Sequence, residues 1–113
     1  MAVSYESIGQ KCVTMTFTGN LAAGDPCTIN TSGAAKPSVT GERICGVVAG
    51  TRGGFASVIV EGFVTLPYTG TAPACGYTKL SAAGGGKVQK DTSGTEYAVF
   101  AVDTAAGTVT FLL

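Results

Sequence analysis

Apolar and polar residues alternate along short stretches of this chain, and glycine-rich turns separate those stretches. In CVTMTFTG, residues 12–19, Val13, Met15 and Phe17 alternate with threonines, which is the period-two pattern of a half-buried β-strand. Apolar residues do not recur at the i, i+3, i+4 spacing of an amphipathic helix over a useful length. The pattern predicts an all-β fold of about eight short strands with little or no helix, either a small β-sandwich or a β-tulip-like barrel.

The stretch FASVIVEGFVTL, residues 55–66, is rich in branched apolar residues and predicts one long strand. It follows RICGVVAG, residues 43–50, across the turn TRGG, so we expect the two to pair as a hairpin. Glycine inside a strand is typical of a bulge or bend, which places a bend at Gly62. Pro67 should then end the ladder or confine it to a sheet edge.

The chain has 113 residues, which is near the usual size of one domain. We expect a flexible N-terminal arm over residues 1–11 and a single β domain over residues 12–113. An apolar strand followed by a glycine-rich turn recurs along the chain, but without a fixed period, so we predict no internal repeat.

Charge is scarce in this sequence. Charged residues make up 12% of the chain, against about 25% in average soluble domains, and the formal net charge is zero. A neutral, charge-poor surface promotes self-association, so we expect much of it to be covered by partners. Lysines and arginines are scattered, which argues against nucleic acid as a partner. Residues 1–10 do not resemble a signal peptide, and no apolar run approaches about 18 residues, so we expect no membrane partner and synthesis in the cytoplasm.

The four cysteines, Cys12, Cys27, Cys45 and Cys75, include no C-x-x-C pair of the kind that zinc sites use. Three disulfide pairings are possible, but the reducing cytoplasm argues against them. We therefore predict free thiols in small, buried, apolar environments, and no metal.

Residues for catalysis are missing from the sequence. The chain has no histidine to act as a general base or to activate a thiol. GGGKV, residues 84–88, lacks both the first glycine of a phosphate-binding loop and its Ser or Thr after the lysine, so we interpret it as a turn. We expect no enzyme activity, no catalytic residue and no cofactor.

Glu61 is the one carboxylate in the middle of an apolar strand. We favour a solvent-face or edge charge that discourages unwanted strand pairing. The alternative is a salt bridge to Arg43 or Arg52 of another subunit. The candidate subunit contacts are Glu61, Phe63 and Tyr68.

Three stretches carry a resemblance to a known family: GDPCTINTSGAAKPSVTGERICGVVAG at residues 24–50, VIVEGFVTLPYTGTAPACGY at residues 58–77, and EYAVFAVDTAAGTVTFLL at residues 96–113. Together they resemble the small head decoration, or cement, proteins of tailed bacteriophages. In that family a GDP turn leads into a strand, and a strand containing Gly-Val precedes a hairpin.

The resemblance implies a structural virion protein with no enzymatic activity. Such a protein binds major capsid protein subunits on the exterior of the mature shell, commonly as a homotrimer, after synthesis in the host cytoplasm. The N-terminal arm would order against the capsid, with Val3, Tyr5 and Ile8 as its apolar anchors.

A ligand-binding β-module on a particle surface is the alternative function. Tyr5, Tyr68, Tyr77 and Tyr97 could stack against a sugar, although the absence of tryptophan weakens this interpretation.

Overall fold

The computed structural model of the protein describes residues 10–113, which form two antiparallel five-stranded β-sheets and no helix. The strands are β1 (Lys11–Thr16), β2 (Pro26–Ile29), β3 (Ala35–Pro37), β4 (Gly46–Arg52), β5 (Phe55–Glu61), β6 (Phe63–Pro67), β7 (Gly76–Gly84), β8 (Lys87–Lys90), β9 (Thr95–Asp103) and β10 (Thr108–Leu112). The all-β prediction is confirmed. The sheets do not close into a barrel, and their arrangement is consistent with a β-sandwich. Residues 1–9, which include most of the predicted arm, lie outside the described residues.

Each sheet is built from one half of the chain. The first sheet has the strand order β1-β5-β4-β2-β3, and the second has the order β6-β10-β9-β7-β8. The second order is the first with every strand number raised by five. In each sheet, the residue after the leading strand also forms a single parallel bridge to the third strand of that half, Phe17 to Ala35 and Tyr68 to Val88.

The two halves therefore repeat one topology, and the prediction of no internal repeat is wrong. Cys27 on β2 pairs with Pro37 on β3, and Leu80 on β7 pairs with Lys90 on β8. The two residues of each pair are separated by the same number of positions along the chain. A short sequence match accompanies the leading strands, since VTMTFTG (13–19) returns as VTLPYTG (64–70). The match is hidden elsewhere because the connecting loops of the two halves differ in length.

Gly62 separates the halves. The sequence predicts one bent strand over residues 55–66, but β5 ends at Glu61 and β6 begins at Phe63 in the other sheet. Gly62 has φ +121, which a residue with a Cβ rarely adopts, and a Cβ there would lie 3.0 Å from the Cα of Gln10. Glycine at this position thus lets the chain leave one sheet and enter the next. The split, together with β3 inside a predicted loop, raises the strand number from about eight to ten.

The buried side chains form two clusters, one for each sheet. The cluster of the first sheet contains Leu21, Cys27, Ala35, Val48, Ala56 and Val58. The cluster of the second sheet is larger, contains Val64, Leu66, Leu80, Ala82, Val88, Tyr97, Val99, Val109 and Phe111, and also takes in Ile44 and Val47 from the first half. Those two residues join the sheets through apolar contact.

The loop between β3 and β4 adds polar contacts to this joint. The amide N of Gly41 donates to the carbonyl O of Ala82 at 2.8 Å, and the amide N of Ala82 donates to the carbonyl O of Glu42 at 2.9 Å. Tyr97 also donates its hydroxyl hydrogen to the carbonyl O of Ile44, at 3.3 Å. The loop thus runs alongside β7 and satisfies backbone groups of both halves.

An ion pair shapes the same loop. Lys36 Nζ lies 2.8 Å from Glu42 Oε1, and the same oxygen accepts the amide hydrogen of Val39 at 2.9 Å. The Lys36 ammonium and the Val39 amide hold the pKa of Glu42 below its ordinary value. Ionised Glu42 therefore stabilises the loop geometry that brings Gly41 to β7.

Substitution of Phe111 tests the second core. Phe111 is fully buried, and its ring centroid lies 4.9 Å from that of Tyr97. We expect Phe111→Ala to lower the free energy of unfolding by about 3–5 kcal/mol, because it removes buried area and leaves a cavity. Urea denaturation measures the change. The control is Val39→Ala, at an exposed position outside this core, which should cost far less, and equal losses would contradict this description of the core.

Acid titration tests the Lys36–Glu42 pair. Since the pKa of Glu42 is lower in the folded chain than in the unfolded one, its contribution is present above the unfolded pKa and is lost as the pH falls through the folded pKa. We expect the stability of Glu42→Gln to depend less on pH in this acid range than that of the wild type. Asp91, whose pKa is also lowered, here by a hydrogen bond from Ser81, remains as a second contributor in both proteins. Parallel urea titrations at stepwise lower pH measure the difference, and identical slopes would refute the role given to Glu42.

Candidate functional site

Large apolar side chains are exposed at several places on residues 10–113. The set comprises Val13, Ile29, Val39, Phe55, Tyr77, Phe100 and Leu112. Exposed apolar residues that lie together are typical of interaction surfaces, whereas single ones are ordinary. The question is therefore which of them the strand registers bring side by side.

One group lies on the outer face of the second sheet, and we name it the aromatic patch: Phe63, Phe100 and Leu112. Phe63 and Leu112 are directly opposite each other in the β6–β10 ladder. The rings of Phe63 and Phe100 meet edge to face, with their centroids 4.9 Å apart. Phe100 keeps 46% of its surface exposed and Leu112 keeps 38%. Phenylalanine is one of the residues that are enriched at the cores of protein interfaces.

A hydroxyl pair extends the patch along the same two strands. Thr65 and Thr110 are opposite each other, and their hydroxyl oxygens lie 2.7 Å apart in a hydrogen bond. Because side chains two positions apart share a face, Thr65 follows Phe63 and Thr110 precedes Leu112 on the outer face. The surface therefore offers apolar area beside polar groups that already have a partner.

The predicted subunit contacts are only partly brought together. Phe63 belongs to the aromatic patch. Tyr68 is half-buried and packs against the core of the second sheet, away from the patch. Phe100 and Leu112 were missing from the prediction. The sequence does contain a sign of Phe100. Tyr97 and Val99 alternate as the buried positions of the strand, so Phe100, next to Val99, must point to the opposite face and places a large apolar side chain there.

Glu61 forms an ion pair within its own chain. Its Oε2 atom lies 3.1 Å from Nζ of Lys11, its ladder partner on β1, and both side chains are largely exposed. The pair lies on the solvent face of a central strand, as β5 runs between β1 and β4. Exposed pairs of this kind contribute about 0–1 kcal/mol. The predicted capsid-contact residues Val3, Tyr5 and Ile8 lie outside the described residues.

β1 is the most exposed strand of the first sheet. It pairs only with β5 among the strands of that sheet, and five of its six residues are exposed. Val13 keeps 42% of its surface exposed, whereas its counterpart in the sequence match, Val64, keeps 6%. The valine at this position is therefore exposed in the first half and buried in the second.

Tyr77 marks a different kind of surface. It is the most exposed of these side chains, at 79%, and lies at a shallow depression together with Lys79, Lys90, Asp91 and Thr92. An aromatic face beside hydroxyl, ammonium and carboxylate groups can stack on a ring and hydrogen-bond to its substituents.

The thiols occupy two different environments. Cys27 is fully buried and Cys45 is half-buried, with their Sγ atoms 3.7 Å apart. Cys12 and Cys75 are exposed, so the prediction that all four cysteines are buried is wrong for these two. Cys12 is on the exposed strand β1, and Cys75 is in the loop before β7.

Among residues 10–113, no three or more histidine, cysteine, aspartate or glutamate side chains are grouped to hold a metal ion. The described part of the chain also has no helix long and apolar enough to cross a membrane.

Comparison of this chain with protein-family models, with curated proteins and with solved structures found no match. The resemblance to phage head decoration proteins therefore stays a prediction, and the surfaces described above carry the functional argument.

Proposed function

We propose that this protein is a structural virion protein that decorates and stabilises the exterior of a mature phage capsid. It binds major capsid protein subunits, acts as a homotrimer, and has no enzymatic activity. The supporting observation is the aromatic patch, an apolar and hydroxyl-bearing surface on a chain with few charges.

The physical basis of this function is adhesion. Burial of apolar surface contributes about 25 cal/mol per Å², and a charge-poor surface loses little ion hydration when it docks. A trimer that engages several sites on a shell also gains effective concentration without new contacts. Each copy can then bind the shell weakly while the trimer as a whole stays bound.

We assign the aromatic patch to contacts between copies of this chain and the N-terminal arm to contacts with the shell. The patch sits on the rigid second sheet, where the hydrogen-bonded ladders of β6, β10 and β9 fix its side chains. A rigid surface loses little conformational entropy on association. The arm assignment follows the family resemblance.

Co-sedimentation with undecorated shells tests the proposal. We expect the full chain to pellet with the shells at saturable stoichiometry and to scatter light as a trimer when free. Phe100→Ser should shift the free protein toward the monomer, and Thr104→Ser, in the exposed loop after β9, is the matched control that should leave the mass unchanged.

Deletion of residues 1–10 separates the two assignments. The truncated chain should stay trimeric but need a higher concentration to saturate the shells. A truncated chain that saturates the shells at the wild-type concentration would rule out the arm as a capsid contact. Failure of the full chain to bind shells would refute the proposed function as a whole.

The exposed Tyr77 supports the second candidate, a glycan-binding β-module on a particle surface. This function predicts that the isolated protein retains one glycan on an array and that Tyr77→Ala abolishes the retention, because the stacking face is removed. Phe55→Ala, which removes another exposed aromatic ring but from the first sheet, is the matched control and should leave the retention unchanged. Retention that is absent, or that is the same in Tyr77→Ala, would reject this candidate.

A further inference from the structure

Cys27 and Cys45 are held side by side by the backbone of the first sheet. Cys27 lies on β2 and pairs with Gly46, the first residue of β4. The amide N of Cys45 donates to the carbonyl O of Cys27 at 2.9 Å, and the two Sγ atoms lie 3.7 Å apart. Since a disulfide bond is about 2.05 Å long, the sulfurs need to approach by less than about 2 Å, within reach of side-chain rotation.

We propose that Cys27 and Cys45 form a dithiol site that a small disulfide of the glutathione class oxidises to an intramolecular disulfide. The product joins β2 to the residue that precedes β4. It closes a loop that contains β3 and the segment that hydrogen-bonds to Ala82 of β7.

The two sulfurs differ in solvent exposure, so they have different roles in the reaction. Cys27 has no exposed surface. Cys45 is half-buried and lines an open groove of about 410 Å³, together with Thr28, Ile29, Arg43 and Tyr97. A disulfide from solvent can therefore reach Cys45 first. The guanidinium of Arg43 in the same groove favours an oxidant that carries carboxylates, as oxidised glutathione does.

The reaction has two balanced exchange steps. The Cys45 thiolate attacks one sulfur of the small disulfide, forms a mixed disulfide, and releases the other half as a thiolate. The first half, released as a thiolate, takes up the proton that Cys45 lost. The sulfur of Cys27 then attacks Sγ of Cys45, the bond between Cys45 and the second half breaks, and the Cys27 proton passes to the departing sulfur, so the second half leaves as a thiol. In total, two protein thiols are oxidised and one small disulfide is reduced to two thiols.

The hydrogen bond between the sulfurs matches this order of events. It lowers the pKa of Cys45, the accessible thiol, and raises the pKa of Cys27, which burial raises further. The thiolate, which is the nucleophile in disulfide exchange, is therefore favoured at the sulfur that the oxidant can reach.

A double variant, Cys12→Ser with Cys75→Ser, tests the site without touching it, because both substituted residues are exposed. The full-length variant is reduced with dithiothreitol, freed of reductant, and treated with oxidised glutathione under native conditions. We expect the intact mass to fall by two hydrogen atoms and non-reducing peptide maps to join Cys27 to Cys45. The melting temperature should rise by roughly 10 °C and return to its starting value on reduction.

Adding Cys45→Ser to this double variant should remove both the mass loss and the rise in melting temperature. The proposal is overturned if the double variant keeps two reactive thiols. It is also overturned if the variant stops at a stable glutathione adduct or forms only cross-links between chains. Should the Cys45→Ser protein fail to fold, the mass and peptide map of the double variant still decide the matter. The outcome is independent of capsid binding, since neither cysteine belongs to the aromatic patch.

Discussion

The contact between the β3–β4 loop and β7 determines how the two halves of this molecule fit together. Each sheet has its own cluster of buried side chains, so the halves need a separate contact to hold them together. Two backbone hydrogen bonds between residues 41–42 and Ala82 align the halves, while Ile44 and Val47 enter the core of the second sheet. The Lys36–Glu42 pair matters because it shapes the loop that makes this contact.

The strands with strict alternation could be predicted from the sequence. The strand that begins near Cys12 was found because its apolar residues alternate strictly with threonines. The pairing of residues 43–50 with the run that begins at Phe55 was found because a glycine-rich turn joins the two. Branched apolar residues continue on both sides of Gly62, with Glu61 and Thr65 among them, so the pattern predicts one strand and does not show the change of sheet. The repeat escaped detection because strand pairing, rather than residue identity, is what the two halves share.

The candidate site was predictable only in part. Phe63 was identified from its place in an apolar stretch, but its association with Phe100 and Leu112 depends on which strands flank β10. The pairing of β10 with β6 joins residues that are far apart in the chain, so no short stretch of sequence can show it. For the same reason the sequence could not distinguish the exposed thiols from the buried pair. Cys12 is on the edge strand β1 and Cys75 is in a loop, whereas Cys27 is on β2, between β4 and β3.

The separate pairing of the two halves bears on how the chain folds while it is being made. Among residues 10–113, the ladders of the first sheet all lie between Lys11 and Glu61, so these strands can pair before the second half has left the ribosome. The nascent domain would then emerge with Ile44 and Val47 uncovered until β6 to β10 are translated. That interval is when the chain is most exposed to misassociation, and its length is set by the rate of translation rather than by diffusion.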